Sequence, residues 1–161
     1  MSNPLILVVD DNKITTKLMH RYLSVHNFEV IEAFDGIECL EKIKETPPDV
    51  VVLDVMMPRM DGYETLKRMR EDDVMKNIPV VIVTALNDVQ TQIKAIEMGA
   101  DDFLSKPVEE KLLIAKAKLL SELSILRTRV AELLSILNKL KENPNLISNV
   151  ENIIQDDEFY D

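Results

Sequence analysis

The chain has little of what secreted, membrane-spanning or nucleic-acid-binding proteins rely on. Cysteine occurs once in 161 residues, so no internal disulfide can form. Cys39, within Gly36-Ile37-Glu38-Cys39-Leu40, is expected to be a small apolar helix residue facing or flanking the core. No apolar run is long enough to cross a bilayer, and the Met-Ser-Asn-Pro opening lacks the charged and apolar regions of a signal peptide. The expected location is cytoplasmic, with no membrane partner. Positive charge is also short: 19 Lys and Arg stand against 29 Asp and Glu, a net charge of -10. No direct nucleic acid partner is expected of so acidic a chain, because the phosphate backbone is gripped by basic surfaces.

What is present is a set of short aliphatic runs: Leu5-Ile6-Leu7-Val8-Val9, Val50-Val51-Val52-Leu53, Val80-Val81-Ile82-Val83 and the shorter Asp101-Asp102-Phe103-Leu104. Runs this short, rich in Val and Ile and separated by helix-like segments, read as parallel strands buried on both faces. Helices are expected over residues 13–26, 36–45, 62–71, 87–98 and from 108 onward. Breakers fall between them, with Pro47-Pro48 before the third strand, Pro79 at the fourth and Gly99 closing the fourth helix. The fold class is therefore α/β, a doubly wound five-stranded parallel sheet of flavodoxin-like order 2-1-3-4-5.

In such a sheet the ligand crevice lies at the carboxyl ends of the strands. Asp10-Asp11, Asp54, Thr84 and Lys106 each follow or end an aliphatic run, so they are expected to converge there. An isolated Asp at a strand end would be an ordinary turn cap. Three carboxylates packed together, however, are costly without a cation to neutralise them. Mg2+ suits such hard oxygen ligands and keeps several waters. An Asp carboxylate can attack phosphorus to form an aspartyl phosphate, and the phosphoryl oxygens then need positive charge and donors already in place. Lys106 offers an ammonium and Thr84 a hydroxyl. His20 and His26 lie in the first helix and its end, away from this cleft, as surface or capping residues. Asp101-Asp102 is expected to start a strand and a turn.

Past Pro107 the pattern changes. Leu112, Leu119, Leu126, Leu133 and Leu140 recur every seventh residue, and Leu123, Val130 and Leu137 fill the a positions three before a d leucine, a coiled-coil heptad. An unbroken helix over 108–142 would be roughly 52 Å long against a radius of gyration of about 13 Å for a 100-residue globule, so most of it is expected to project. Leu113, Leu120, Leu134 and Ile136 at e and g widen the apolar stripe and leave a higher oligomer or a helical hairpin open beside a parallel homodimer. Asn143-Pro144 reads as an N-cap and first helical residue. The expected division is 1–108 for the sheet domain, 109–142 for the long helix and 143–161 for a short helix and acidic tail.

The motifs Val8-Val9-Asp10-Asp11-Asn12, Val52-Leu53-Asp54-Val55-Met56-Met57-Pro58-Arg59-Met60-Asp61-Gly62, Thr84-Ala85 and Gly99-Ala100-Asp101-Asp102-Phe103-Leu104-Ser105-Lys106-Pro107 resemble, in order and spacing, the receiver domain of bacterial two-component response regulators. The resemblance covers about residues 3–108 and implies Asp54 as phosphoacceptor and Asp10 and Asp11 as the acidic pair. It also implies metal ligation by Asp11, Asp54 and the Met56 backbone carbonyl, with Asp10 in the same acidic metal site. Lys106 becomes the phosphate counter-ion, Thr84 the switch hydroxyl and Phe103 the rotating aromatic. The expected function is a response regulator phosphorylated on Asp54 by a histidine kinase or histidine phosphotransfer protein with Mg2+. Its output would be protein association: a homodimer through Leu112, Leu119, Leu123, Leu126, Val130, Leu133, Leu137 and Leu140, or an unidentified downstream protein. No separate enzyme activity is expected. The alternatives are a receiver fragment of a larger regulator bearing an effector enzyme, and a phosphate shuttle in a relay.

Overall fold

The computed structural model describes residues 2–86 and 88–143; the short helix and acidic tail expected beyond Asn143 lie outside the described residues. Five strands, β1 (Leu5–Val9), β2 (Glu29–Ala33), β3 (Val50–Asp54), β4 (Val80–Thr84) and β5 (Asp102–Ser105), alternate with five helices, α1 (Lys13–Ser24), α2 (Gly36–Glu45), α3 (Gly62–Glu71), α4 (Val89–Glu97) and α5 (Glu110–Glu142). The strands form one parallel sheet in the order β2-β1-β3-β4-β5, as the sequence predicts.

Side chains of successive strand residues point to opposite faces, and this alternation builds two cores. Leu7, Val9, Val51, Leu53, Val80 and Ile82 pack with Cys39 and Ile43 of α2, Leu66 and Met69 of α3 and Ala95 of α4. Ile6, Val8, Val50, Val52, Val81 and Val83 pack with Met19 and Leu23 of α1 and Leu113, Ala117 and Leu120 of α5. Because both faces are covered, β3 and β4 are buried throughout and need no polar alternation.

Helix starts are set by side-chain caps. Asn12, Asp35, Asp61 and Asp88, all with extended backbone, accept hydrogen bonds from the first-turn amides of α1 to α4. Each such cap satisfies an amide that the helix itself leaves without a partner. Capping by Asp88 is why α4 opens at Val89, slightly later than predicted. At the other end of α1, Val25 is the C-cap and Asn27 turns left-handed at φ 64°, which stops the helix before His26. Gly99, at φ 97°, makes the turn out of α4 where a Cβ would be strained.

The chain divides into two units, Met1–Ile125 and Leu126 onward. The first extends past the expected boundary at 108 because the opening turns of α5 supply Leu113, Ala117 and Leu120 to the core. These residues follow the i, i+4, i+7 spacing of a buried helix face; Leu113 and Leu120, placed by the heptad on its flanks, are core residues of the sheet domain. In the second unit the described residues belong to the later turns of α5, where Leu126, Val130, Leu133, Leu134, Ile136 and Leu137 are all exposed. No helix among the described residues is long and apolar enough to cross a membrane.

Candidate functional site

Asp54 is the last residue of β3, Thr84 the last of β4, Asp10 follows β1 and Lys106 follows β5. Parallel pairing in register, with Asp54 opposite Val83 and Thr84 opposite Ser105, brings these four strand ends to one edge of the sheet. Asp10 is fully buried, Asp54 and Thr84 nearly so. Asp11 is exposed at the rim.

The Lys106 ammonium bridges the two buried acids, 2.8 Å from Asp10 Oδ2 and 3.1 Å from Asp54 Oδ1. Its backbone is fixed by donation of the Lys106 N–H to the Thr84 carbonyl at 2.8 Å, ahead of a cis Lys106–Pro107 bond. Asp10 is held from several sides. Its N–H donates to the Ala33 carbonyl, its Oδ1 accepts from the Asn12 N–H at 2.8 Å, and its carbonyl accepts from the Thr16 hydroxyl at 3.0 Å.

Burial and then the neighbouring Asp10 charge push the Asp54 pKa up, only partly offset by Lys106 and by the Met56 amide that hydrogen-bonds its carboxylate. Burial pulls the Lys106 pKa down, but the two carboxylates outweigh it and leave it above the ordinary lysine value. The site thus concentrates negative charge that one ammonium does not balance.

Carboxylate oxygens of Asp10, Asp11 and Asp54 lie within 4.8 Å of one another. Asp10 Oδ2 is buried with no aligned hydrogen bond, its one close cation being Lys106. A buried carboxylate oxygen held only by an ammonium, beside two further carboxylates, is the hard donor set that suits Mg2+. The Thr84 hydroxyl accepts from the Leu86 N–H at 3.0 Å, which links it to the segment leading to α4.

The remaining expected site residues are spread more widely. Met56, two residues past Asp54, is well exposed. Phe103 is half-buried in β5 and packs against the α2–α4 side of the sheet. On α5, Leu112 and Leu119 are exposed while Leu123 and Leu140 are half-buried. His20 pairs with Glu32 at 2.6 Å and His26 Nδ1 lies 2.8 Å from the Tyr22 carbonyl, both outside the acidic site. Burial, and then Asp35 and Glu38, push the Cys39 thiol up to about 12, so it stays protonated and inert.

Two supports of the site were not foreseen. A Cβ at Gly62 would collide with the Asp54 carbonyl and lie 2.8 Å from Val55 Cα. Glycine therefore lets α3 start directly beneath the Asp54 strand end, where the Gly62 N–H donates to the Val55 carbonyl at 2.9 Å. Arg59, at φ 66°, turns back to pair with Asp35 through Nη2 and, at 3.0 Å, through Nε. This ties the loop after Asp54 to the cap of α2. The Asp35 cap itself was readable from the Asp-x-x-Glu spacing to Glu38; the Arg59 contact, made across the sheet edge through a left-handed residue, carried no local signal.

The model of the response regulator receiver domain family matches residues 6–118. The chain is 38% identical over 120 residues to the response regulator PleD of Caulobacter vibrioides, covering 74% of this chain and 26% of PleD. It is 35% identical over 181 aligned residues to the hybrid signal transduction histidine kinase D of Dictyostelium discoideum, covering 99% of this chain and 12% of the kinase. Among solved structures, a receiver domain of the Francisella response regulator 1452 superposes with a TM-score of 0.71 at 35% identity, over 74% of this chain and 98% of that one. The chain thus spans about a quarter of PleD and a smaller share of the kinase.

Proposed function

Because this chain belongs to the response regulator receiver domain family of two-component systems, we propose that it is phosphorylated on Asp54 and answers by protein association. The observation that carries the reading is the Lys106 bridge between buried Asp10 and Asp54, with Thr84 on the adjoining strand end. One Asp54 carboxylate oxygen attacks the phosphorus of a phosphohistidine. The P–N bond breaks, and its electron pair returns to the imidazole of a histidine kinase or histidine phosphotransfer protein. Asp10, Asp11, Asp54 and the Met56 carbonyl would hold Mg2+, which when bound supplies positive charge to the phosphoryl oxygens. Lys106 moves from its carboxylate partners to a phosphoryl oxygen, a charge-assisted contact. Thr84 is the switch hydroxyl that hydrogen-bonds the phosphoryl group, and Phe103 is the aromatic that reorients with it.

The output surface is the heptad row of α5, and the partner is a second copy of this chain in parallel. Burying eight seam side chains, Leu112, Leu119, Leu123, Leu126, Val130, Leu133, Leu137 and Leu140, contributes about 1.5–3 kcal/mol each when complete. Even partial burial can then exceed the roughly 4–15 kcal/mol cost of association. The cytoplasm, where histidine kinases present their phosphohistidine, is the matching location.

Acetyl phosphate with Mg2+ should label the wild type with an acid-labile, hydroxylamine-sensitive phosphoryl group, whereas Asp54→Asn should take up none. Substantial hydroxylamine-sensitive label on the variant would remove Asp54 from its role. The chain's short coverage of its relatives favours a second reading, a receiver segment of a longer regulator; intact mass of the protein isolated from its native source separates the two.

A further inference from the structure

We infer that Lys116 is a charged interruption in the seam between two copies, and that Asp102 holds it off that seam; the inference rests on the homodimer proposed above. The register that puts Leu112, Leu119 and Leu126 at d and Leu123 and Val130 at a leaves one further a position on the receiver-docked part of the helix, and it is Lys116. A parallel heptad row is self-complementary, so each a residue meets its own counterpart. Glu122 at g and Arg127 at the next e position give the flanks of such a pair opposite charges. Two facing Lys116 ammonium groups would break the apolar row between Leu112 and Leu119.

Lys116 is not left at the seam. Its Nζ lies 2.6 Å from Asp102 Oδ2 and 5.9 Å from the centre of the Phe103 ring. The side chain is thereby drawn sideways onto β5, with ion pairing and ring contact holding the charge. Leu112 and Leu119, one turn to either side, remain 47% and 64% exposed and are available to a second copy. Docking of α5 onto its own sheet rests on Leu113, Ala117 and Leu120, which occupy other positions of the register, with the a residue Leu123 packing partly against the same core; Leu112 and Leu119 belong to the seam alone. Asp102 therefore neutralises a residue that would otherwise repel its copy.

Sedimentation equilibrium of the full chain tests this with Lys116→Leu, Lys116→Met, Asp102→Asn and the Lys116→Leu/Asp102→Asn double variant. Removing the charge should tighten the dimer by about tenfold in either Lys116 variant. Asp102→Asn alone should weaken it several-fold, and the same change in the Lys116→Leu background should have no effect. Unchanged or weaker association of both Lys116 variants, with Leu126→Asp/Leu133→Asp still monomeric, would overturn the role of Lys116 and leave the dimer standing. Additive effects in the double variant would likewise overturn it. A wild type that stays monomeric at tens of micromolar would overturn the dimer and the role of Lys116 together.

Discussion

In β1 and β3, Ile6, Leu7, Val8, Val51, Val52 and Leu53 are fully buried, whereas on the later turns of α5 Leu126, Val130, Leu133 and Leu137 are more than half exposed. The residue types are the same; the repeat differs. Strand residues alternating between two faces are covered by helices of the same chain on both sides. A row repeating every 3.5 residues along one helix has no covering element among the described residues of its own unit. The first kind of apolar residue stabilises the folded chain directly, in proportion to the area it removes from water. The second can contribute only when something else covers it, and where the cover is the proposed second copy its contribution depends on concentration.

The exposed row is disrupted most by Leu126→Asp with Leu133→Asp. Loss of two seam leucines from each copy, four side chains at about 1.5–3 kcal/mol each when fully buried, should raise the dissociation constant of the proposed dimer by roughly four orders of magnitude or more. Acetyl phosphate labelling should survive, as a labelling assay run beside light scattering would check. A core truncation acts on the other region: Leu66→Ala should cost about 2–5 kcal/mol of unfolding free energy. That loss should be the same at every protein concentration in urea titrations, unlike any loss arising in the seam.

Smaller effects separate the site from its scaffold. Asp35→Ala removes the α2 cap and the Arg59 partner together and should cost about 0.5–2 kcal/mol. Although burial raises the Asp35 pKa, the Glu38 amide and Arg59 outweigh it and hold the carboxyl below its ordinary value of 3.8. Its ionised form therefore stabilises the fold above about pH 4, and that contribution is lost as pH falls through the lowered folded-state pKa. The wild type should accordingly lose more stability than Asp35→Ala on acidification.

The smallest effect has the opposite sign. The Asp54 pKa is raised by burial and by Asp10, so ionising it costs stability as pH rises from 3.8 through the folded-state value. Asp54→Asn, measured in chelator, should then be slightly more stable than the wild type at neutral pH. A destabilised variant would mean that the Lys106 pair outweighs the burial of charge.

Much of this site was legible because it is written at strand ends. Asp10, Asp54, Thr84 and Lys106 could be placed together from the aliphatic runs and the sheet order alone, since a doubly wound parallel sheet leaves its carboxyl edge open. The Asp and Asn caps of α1 to α4 have local signals and were readable in principle. Gly62 beneath Asp54, and Arg59 turning back to Asp35, were not readable, because one depends on how closely two backbones approach and the other on a left-handed residue reaching across the sheet edge. That Leu113 and Leu120, at the e positions of the heptad, turn to the sheet was not readable for a related reason. In α5 the helical repeat by itself allowed two overlapping apolar stripes, and nothing local says which one meets the sheet.

Short-range periodicity and the hand of parallel crossovers already specify the strand runs, their order, the acidic cluster and the leucine row. Tertiary structure decided which stripe of α5 is buried, that Lys106 spans Asp10 and Asp54, and that Lys116 is drawn onto Asp102. Those outcomes depend on distances between residues far apart in the chain, and no local pattern encodes such distances until the sheet has fixed both ends.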